Sequence, residues 1–183
     1  MAIAWGFNLL LGIKVASYGN AYLNPCIAAC DYLLAKKLTL LEFVIYFVAE
    51  LVGAFAGAAI VYGLNYSLYP DKICNFFGTS PAPGINYTQA FFIEFIGTAL
   101  FSLCIFKILN SKMKHAEYAI AASLTAIVLS LGYHTAFSYN WARDFGPRAF
   151  ASMVDSSCMN DYSWIPFVAD FFGASFGWTL SRF

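Results

Sequence analysis

Charge is scarce in this sequence. Ten Lys and Arg and ten Asp and Glu make up 11% of its 183 residues, where soluble globular chains carry about 25%. With 61% hydrophobic residues, a soluble domain would have too few charges to clothe its core. The formal net charge is zero, which excludes the basic footprint of a nucleic-acid partner. Five cysteines (Cys26, Cys30, Cys74, Cys104 and Cys158) are odd in number, scattered and without a C-x-x-C spacing. Neither a metal site nor a disulfide framework is therefore expected. No basic segment precedes the first apolar run, so a cleavable signal peptide is not expected either. The chain also lacks a phosphate loop, paired catalytic carboxylates and a nucleophile–base–acid set. No enzyme activity and no cofactor are expected.

What the chain does have is long apolar runs. A membrane helix needs about 20 mostly apolar residues, and five stretches qualify: roughly 2–18, 40–62, 88–109, 116–137 and 163–180. The first is short and carries Lys14. Two further stretches, 24–34 and 140 to about 152, are too short to cross. Asn24-Pro25 is a helix-start signal, with a capping side chain followed by a residue that needs no N–H partner. A helix of about 11 residues reaches roughly 16 Å, half of a 30 Å hydrocarbon core. Half-helices at that depth are tolerated only inside protein or beside a water-filled cavity. Two of them predict a cavity.

The chain also repeats itself. Glu50-Leu51-Val52-Gly53-Ala54-Phe55-Ala56-Gly57 and Asp170-Phe171-Phe172-Gly173-Ala174-Ser175-Phe176-Gly177 share the pattern acid-x-x-Gly-Ala-x-x-Gly. They begin 26 residues after Asn24 and 30 after Asn140. Small residues four apart form helix-packing faces in membranes. Their matched placement after each Asn predicts two inverted units, about 1–63 and 88–183, in a single domain. The second unit has span, span, half-helix, span; the first lacks the leading span, so a helix before residue 1 is expected. Lys36, Lys37, Lys107, Lys112 and Lys114 lie in two loops on one side, which is expected to be cytoplasmic. The segment 69–87, with Pro70, Lys72, Pro81, Pro83 and Gly84, is then an outer loop.

These residues resemble the aquaporin superfamily, whose hallmark is two half-helices headed by Asn-Pro-Ala. The counterparts are Asn24-Pro25-Cys26 and Asn140-Trp141-Ala142. The second continues Arg143-Asp144-Phe145-Gly146-Pro147-Arg148, as in the glycerol-conducting branch. Ala21-Tyr22-Leu23-Asn24 is similar to the approach to the first motif, with Tyr for His. Phe92-Ile93-Glu94-Phe95-Ile96-Gly97-Thr98-Ala99 is similar to the fourth family helix with its buried glutamate. The chain departs from the family at Trp141 (for Pro), Cys26 (for Ala), Glu50 (for a neutral residue) and Asp170 (for Pro).

The resemblance implies an all-α integral membrane protein with an aquaporin-like inverted repeat. Five spans and two re-entrant half-helices are expected, where the complete family fold has six spans. It implies a passive channel for glycerol, other small neutral solutes and water, assembled as a homotetramer in the lipid bilayer of the plasma membrane. A non-conducting subunit that joins full-length channels, and a water-only pore, are the alternatives. By the same resemblance Trp5, Val128, Phe137 and Arg143 form the outer constriction, Val128 narrowing it. Asp144 is either the partner of Arg143 or a brace for the fold, and Glu94 braces half-helix backbone. An indole at residue 141 must displace the half-helix tips or turn into the wall. His134 is expected to be packed or interfacial, and His115 solvated.

Overall fold

The computed structural model describes residues 1–68 and 73–183, apart from the Asn75 side chain. The described residues hold only helices and their connections. The five expected spans are α1 (Ala2–Ala16), α3 (Leu40–Asn65), α5 (Tyr87–Asn110), α6 (Ala116–Thr135) and α8 (Trp164–Leu180). The two half-helices are α2 (Pro25–Leu33) and α7 (Trp141–Val154), and a short α4 (Ile73–Phe77) lies between α3 and α5. Among the described residues three helices, α3, α5 and α6, are long and apolar enough by themselves to cross a membrane. With 15 and 17 residues, α1 and α8 reach roughly 22–26 Å, slightly less than the hydrocarbon core. Of the expected outer loop, residues 69–72, including Pro70 and Lys72, lie outside the described residues.

The helix starts follow local chemistry. Thr39 and Glu42 form a reciprocal capping box at α3, and Asn86 and Gln89 form another at α5. Each satisfies backbone donors that would otherwise be orphaned at a helix N-terminus. The charge within α1 is met by its neighbour: Lys14 bonds Glu117 of α6, and its ammonium lies 5.5 Å from the Tyr118 ring centre.

The most extensive helix pair is α5 with α8. A methyl on Gly173 would stand 2.5 Å from the Phe95 carbonyl oxygen, and one on Gly177 would overlap the Ala99 carbonyl. Ser102 adds a hydrogen bond of 2.7 Å to the Ala174 carbonyl. The repeat-related Gly53 and Gly57 on α3 have nothing within 4 Å among the described residues. The two faces therefore predict opposite responses. Gly177→Ala should lower stability by about 1–3 kcal/mol through forced separation of the helices. Gly57→Ala should be neutral or stabilise by up to about 1 kcal/mol, since only helix propensity changes. Thermal unfolding of both variants in detergent checks the contrast.

One expectation fails. Cys74 and Cys158, 84 residues apart, form a disulfide. The odd count hid the pair because sequence spacing carries no information about which loops the helices bring to one end of the bundle. The bridge ties α4 to the 3-10 turn Ser156–Cys158 that follows α7. Cys26, Cys30 and Cys104 remain free.

Candidate functional site

The two half-helices meet tip to tip, and their asparagines lock the meeting point. Asn24 caps α2 by accepting from the Cys26 amide at 3.0 Å. Asn140 caps α7 by accepting from Ala142 at 3.1 Å and Arg143 at 3.4 Å. Each amide nitrogen then donates across the junction: Asn24 to the Tyr139 carbonyl and Asn140 to the Leu23 carbonyl, both at 2.7 Å. A carboxamide has two N–H donors, so one per asparagine is left for a solute. Pro25 occupies the first turn of α2, and Cys26 and Ala142 are buried beside the junction.

A cavity of about 580 Å³ runs past this junction. Trp5, Phe137 and Arg143 line it at one end, Asn24 and Asn140 at the middle, and Ile105, Leu109 and Ile120 toward the other. The Arg143 guanidinium carbon lies 4.6 Å from the Trp5 ring centre and 5.2 Å from that of Phe137. The two rings meet edge to face at 5.4 Å. Arg143 gives one hydrogen bond to the Ala136 carbonyl at 3.2 Å, while its Nε is buried without a hydrogen-bond partner. This slot thus combines aromatic carbon with a guanidinium that lies against it.

The loop that enters α7 is bent to serve this geometry. Ala136, Phe137 and Tyr139 all have positive φ, at 61°, 45° and 49°, a conformation that costs non-glycine residues about 1–2 kcal/mol each. Fully buried Glu94 holds the loop in place. It accepts from the Ser138 amide at 3.0 and 3.1 Å and from the Tyr139 amide at 3.4 Å. Asp170, also fully buried, accepts from the Ser138 hydroxyl at 2.6 Å and the Thr98 hydroxyl at 3.0 Å. The role of Asp170 had no sequence signal beyond its match to Glu50 in the repeat.

Besides Pro25, Cys26, Ala142 and Glu94, which also lie outside the cavity lining, three expected site residues stand away from the cavity. Among the described residues the Asp144 carboxylate forms no hydrogen bond or ion pair with Arg143. It pairs with buried Arg148 at 2.9 and 2.8 Å and accepts from the Thr79 amide and hydroxyl, both at 2.6 Å, which makes it the brace of the two alternatives. Val128 does not line the cavity; it packs in the core beside Gly132 and Phe137. Trp141 turns into the wall. It stacks on Phe145 at 4.7 Å and meets Phe167 at 4.9 Å and Phe47 at 5.5 Å. His134 is partly buried, its Nδ1 3.0 Å from the Leu131 carbonyl oxygen. His115 is exposed and lies 3.6 Å from Glu117.

A family model described as Major intrinsic protein matches residues 1–180. Aquaglyceroporin-2 of Rhizophagus irregularis is 32% identical over 94% of this chain and 62% of its own length. The glycerol uptake facilitator protein of Escherichia coli (strain K12) is 31% identical over 82% of this chain and 61% of its own. The chain thus spans about three fifths of the length of these relatives. The X-ray structure of the aquaglyceroporin from Plasmodium falciparum superposes with a TM-score of 0.84 at 26% identity. That match covers all of this chain and 79% of that one.

Proposed function

Because the chain belongs to the major intrinsic protein family, we propose that it forms a passive transmembrane pore for glycerol and other small neutral solutes, with water alongside. No bond is made or broken. The observation that carries this reading is the cavity that joins the Trp5–Phe137–Arg143 slot to the paired asparagines. Trp5 and Phe137 meet the carbon face of a polyol, Arg143 meets its hydroxyls, and Asn24 and Asn140 reorient it at the centre. The half-helix N-termini place partial positive charge there, about half a unit each, which opposes protons and cations. Packing of Val128 away from the cavity favours the wider, polyol-passing reading over a water-only pore. The names of the relatives, an aquaglyceroporin and a glycerol uptake facilitator, point the same way.

The lysine-rich ends of α2 and α5 face the cytoplasm in this reading, by the positive-inside rule. The Cys74–Cys158 end then faces the oxidising side, where disulfides persist. A plasma-membrane homotetramer is the assembly proposed. A second reading, a non-conducting subunit that joins full-length channels, draws on the Gly53–Gly57 face of α3, which has nothing within 4 Å among the described residues.

Arg143→Ala tests the slot. It removes bulk and fixed charge together, so larger polyols should pass and the glycerol-to-water flux ratio should change severalfold in reconstituted vesicles. An unchanged set of solute ratios would place Arg143 outside the selecting step.

A further inference from the structure

The half of the cavity beyond the asparagines holds a charged group to which no function has been given. Asp31 is 5% exposed and contributes to the cavity wall. It sits seven residues past Asn24 on α2, about 10 Å along the helix axis, near the C-terminus of that helix. A negative charge at a helix C-terminus opposes the helix dipole, so Asp31 is not there to stabilise α2. Its Oδ2 accepts from the Tyr22 hydroxyl at 2.7 Å. Its Oδ1 has no hydrogen-bond partner, although the Lys37 ammonium stands 3.1 Å away as an ion pair. Lys37 reaches back because Lys36 takes a left-handed turn, at φ 56°, and the Lys37 amide bonds the Asp31 carbonyl at 2.8 Å. The Lys37 side chain itself is 55% exposed, whereas Oδ1 is buried, so a solute reaches Oδ1 only where Lys37 swings aside. The same stretch of cavity is walled by Phe101, Ile105, Ile120 and Leu124, all apolar.

We propose that Asp31, with Tyr22 and Lys37 around it, is a second solute-selecting site that takes a polyol by accepting hydrogen bonds from its hydroxyls. This rests on the reading of the chain as a polyol pore and adds a specificity residue to it. The two sites are complementary. Arg143 offers only donors at one end, while a carboxylate offers only acceptors at the other. In both, an apolar wall faces the charged group, so a polyol presents carbon to one side and hydroxyls to the other throughout its passage. Lys37 balances the carboxylate charge, which keeps the site from concentrating cations, and competes with the solute for Oδ1.

The test is the concentration dependence of glycerol flux through the full chain reconstituted in vesicles. Asp31→Asn keeps an acceptor for Tyr22 but loses the charge and one acceptor oxygen. Loss of a hydrogen bond to a charged group should raise the half-saturating glycerol concentration by roughly tenfold. Lys37→Met, a change at a half-exposed surface position, should lower it about threefold by removing the competitor. Opposite shifts in the two variants support the site, since a purely structural role would not move them in opposite directions. Saturable flux with the wild-type half-saturation in both variants overturns the inference while leaving the pore reading intact. Should Asp31→Asn fail to fold, an unchanged half-saturation in Lys37→Met overturns it alone. A wild-type chain that passes water but no glycerol overturns the pore reading, and the inference with it.

Discussion

Arg148→Ala is expected to be among the most damaging single substitutions in this chain, costing about 3–5 kcal/mol. Arg148 is 2% exposed and Asp144 fully buried, and the pair is held by two short hydrogen bonds. The guanidinium also donates to the Thr79 carbonyl at 2.6 Å and the Cys158 carbonyl at 3.0 Å. Removing it takes the counter-charge from a buried carboxylate, which keeps only its Thr79 donors, and strips a donor from two carbonyls at once. A buried charge without its counter-charge is far costlier than a broken surface pair. The network joins α7, the segment that carries Thr79 and the turn that carries Cys158, so its loss should loosen the outer end of the bundle. Arg148→Lys supplies charge without the planar fork and should recover only part of the loss. Thermal unfolding in detergent would show it, at roughly 2–4 °C per kcal/mol for a chain of this size. A shift under 3 °C for Arg148→Ala would contradict the account of this network.

Trp141→Ala is expected to cost a similar amount, about 3–5 kcal/mol, by emptying an aromatic cage. The indole contacts Phe47, Phe145, Phe167 and Phe171, drawn from α3, α7 and α8. These contacts join α3 to α7 and α8 behind the cavity rather than within it. The selectivity of the surviving protein should therefore stay close to wild type, because Trp141 is absent from the cavity lining. Trp141→Pro should lose the same packing but regain some stability, since proline is preorganised at the first helical position. Unfolding temperature and the glycerol-to-water ratio, measured on the same preparations, separate the two effects. A changed ratio with unchanged stability would move the indole from the wall to the pore.

Both substitutions fall in a motif that the sequence displays openly, yet only part of their consequence could be read there. The half-helices were legible because Asn24-Pro25 and Asn140 are local signals, satisfied within two or three residues by the backbone they cap. The spans were legible because lipid demands apolar length. The pairing of Asp144 was half legible, as a brace or a partner of Arg143, because its true partner sits one turn along the same helix. The direction of Trp141 was not legible, since it depends on phenylalanines from three helices. Nor were the Cys74–Cys158 bridge and the Tyr22–Asp31 contact, because each needs the chain to fold back before its partners meet. Nor was the packing of Val128 beside Gly132 and Phe137, because it is set by neighbours the local sequence does not name.

The pore reading reduces to a single measurement. Vesicles carrying the protein are exposed first to an impermeant osmolyte and then to a glycerol gradient, and their shrinking and reswelling are followed by light scattering. The account predicts fast water efflux, then rapid reswelling as glycerol enters, with proton leakage under an applied voltage at background. Water flux without glycerol-driven reswelling would contradict the assignment of the Trp5–Phe137–Arg143 slot as a polyol-passing constriction.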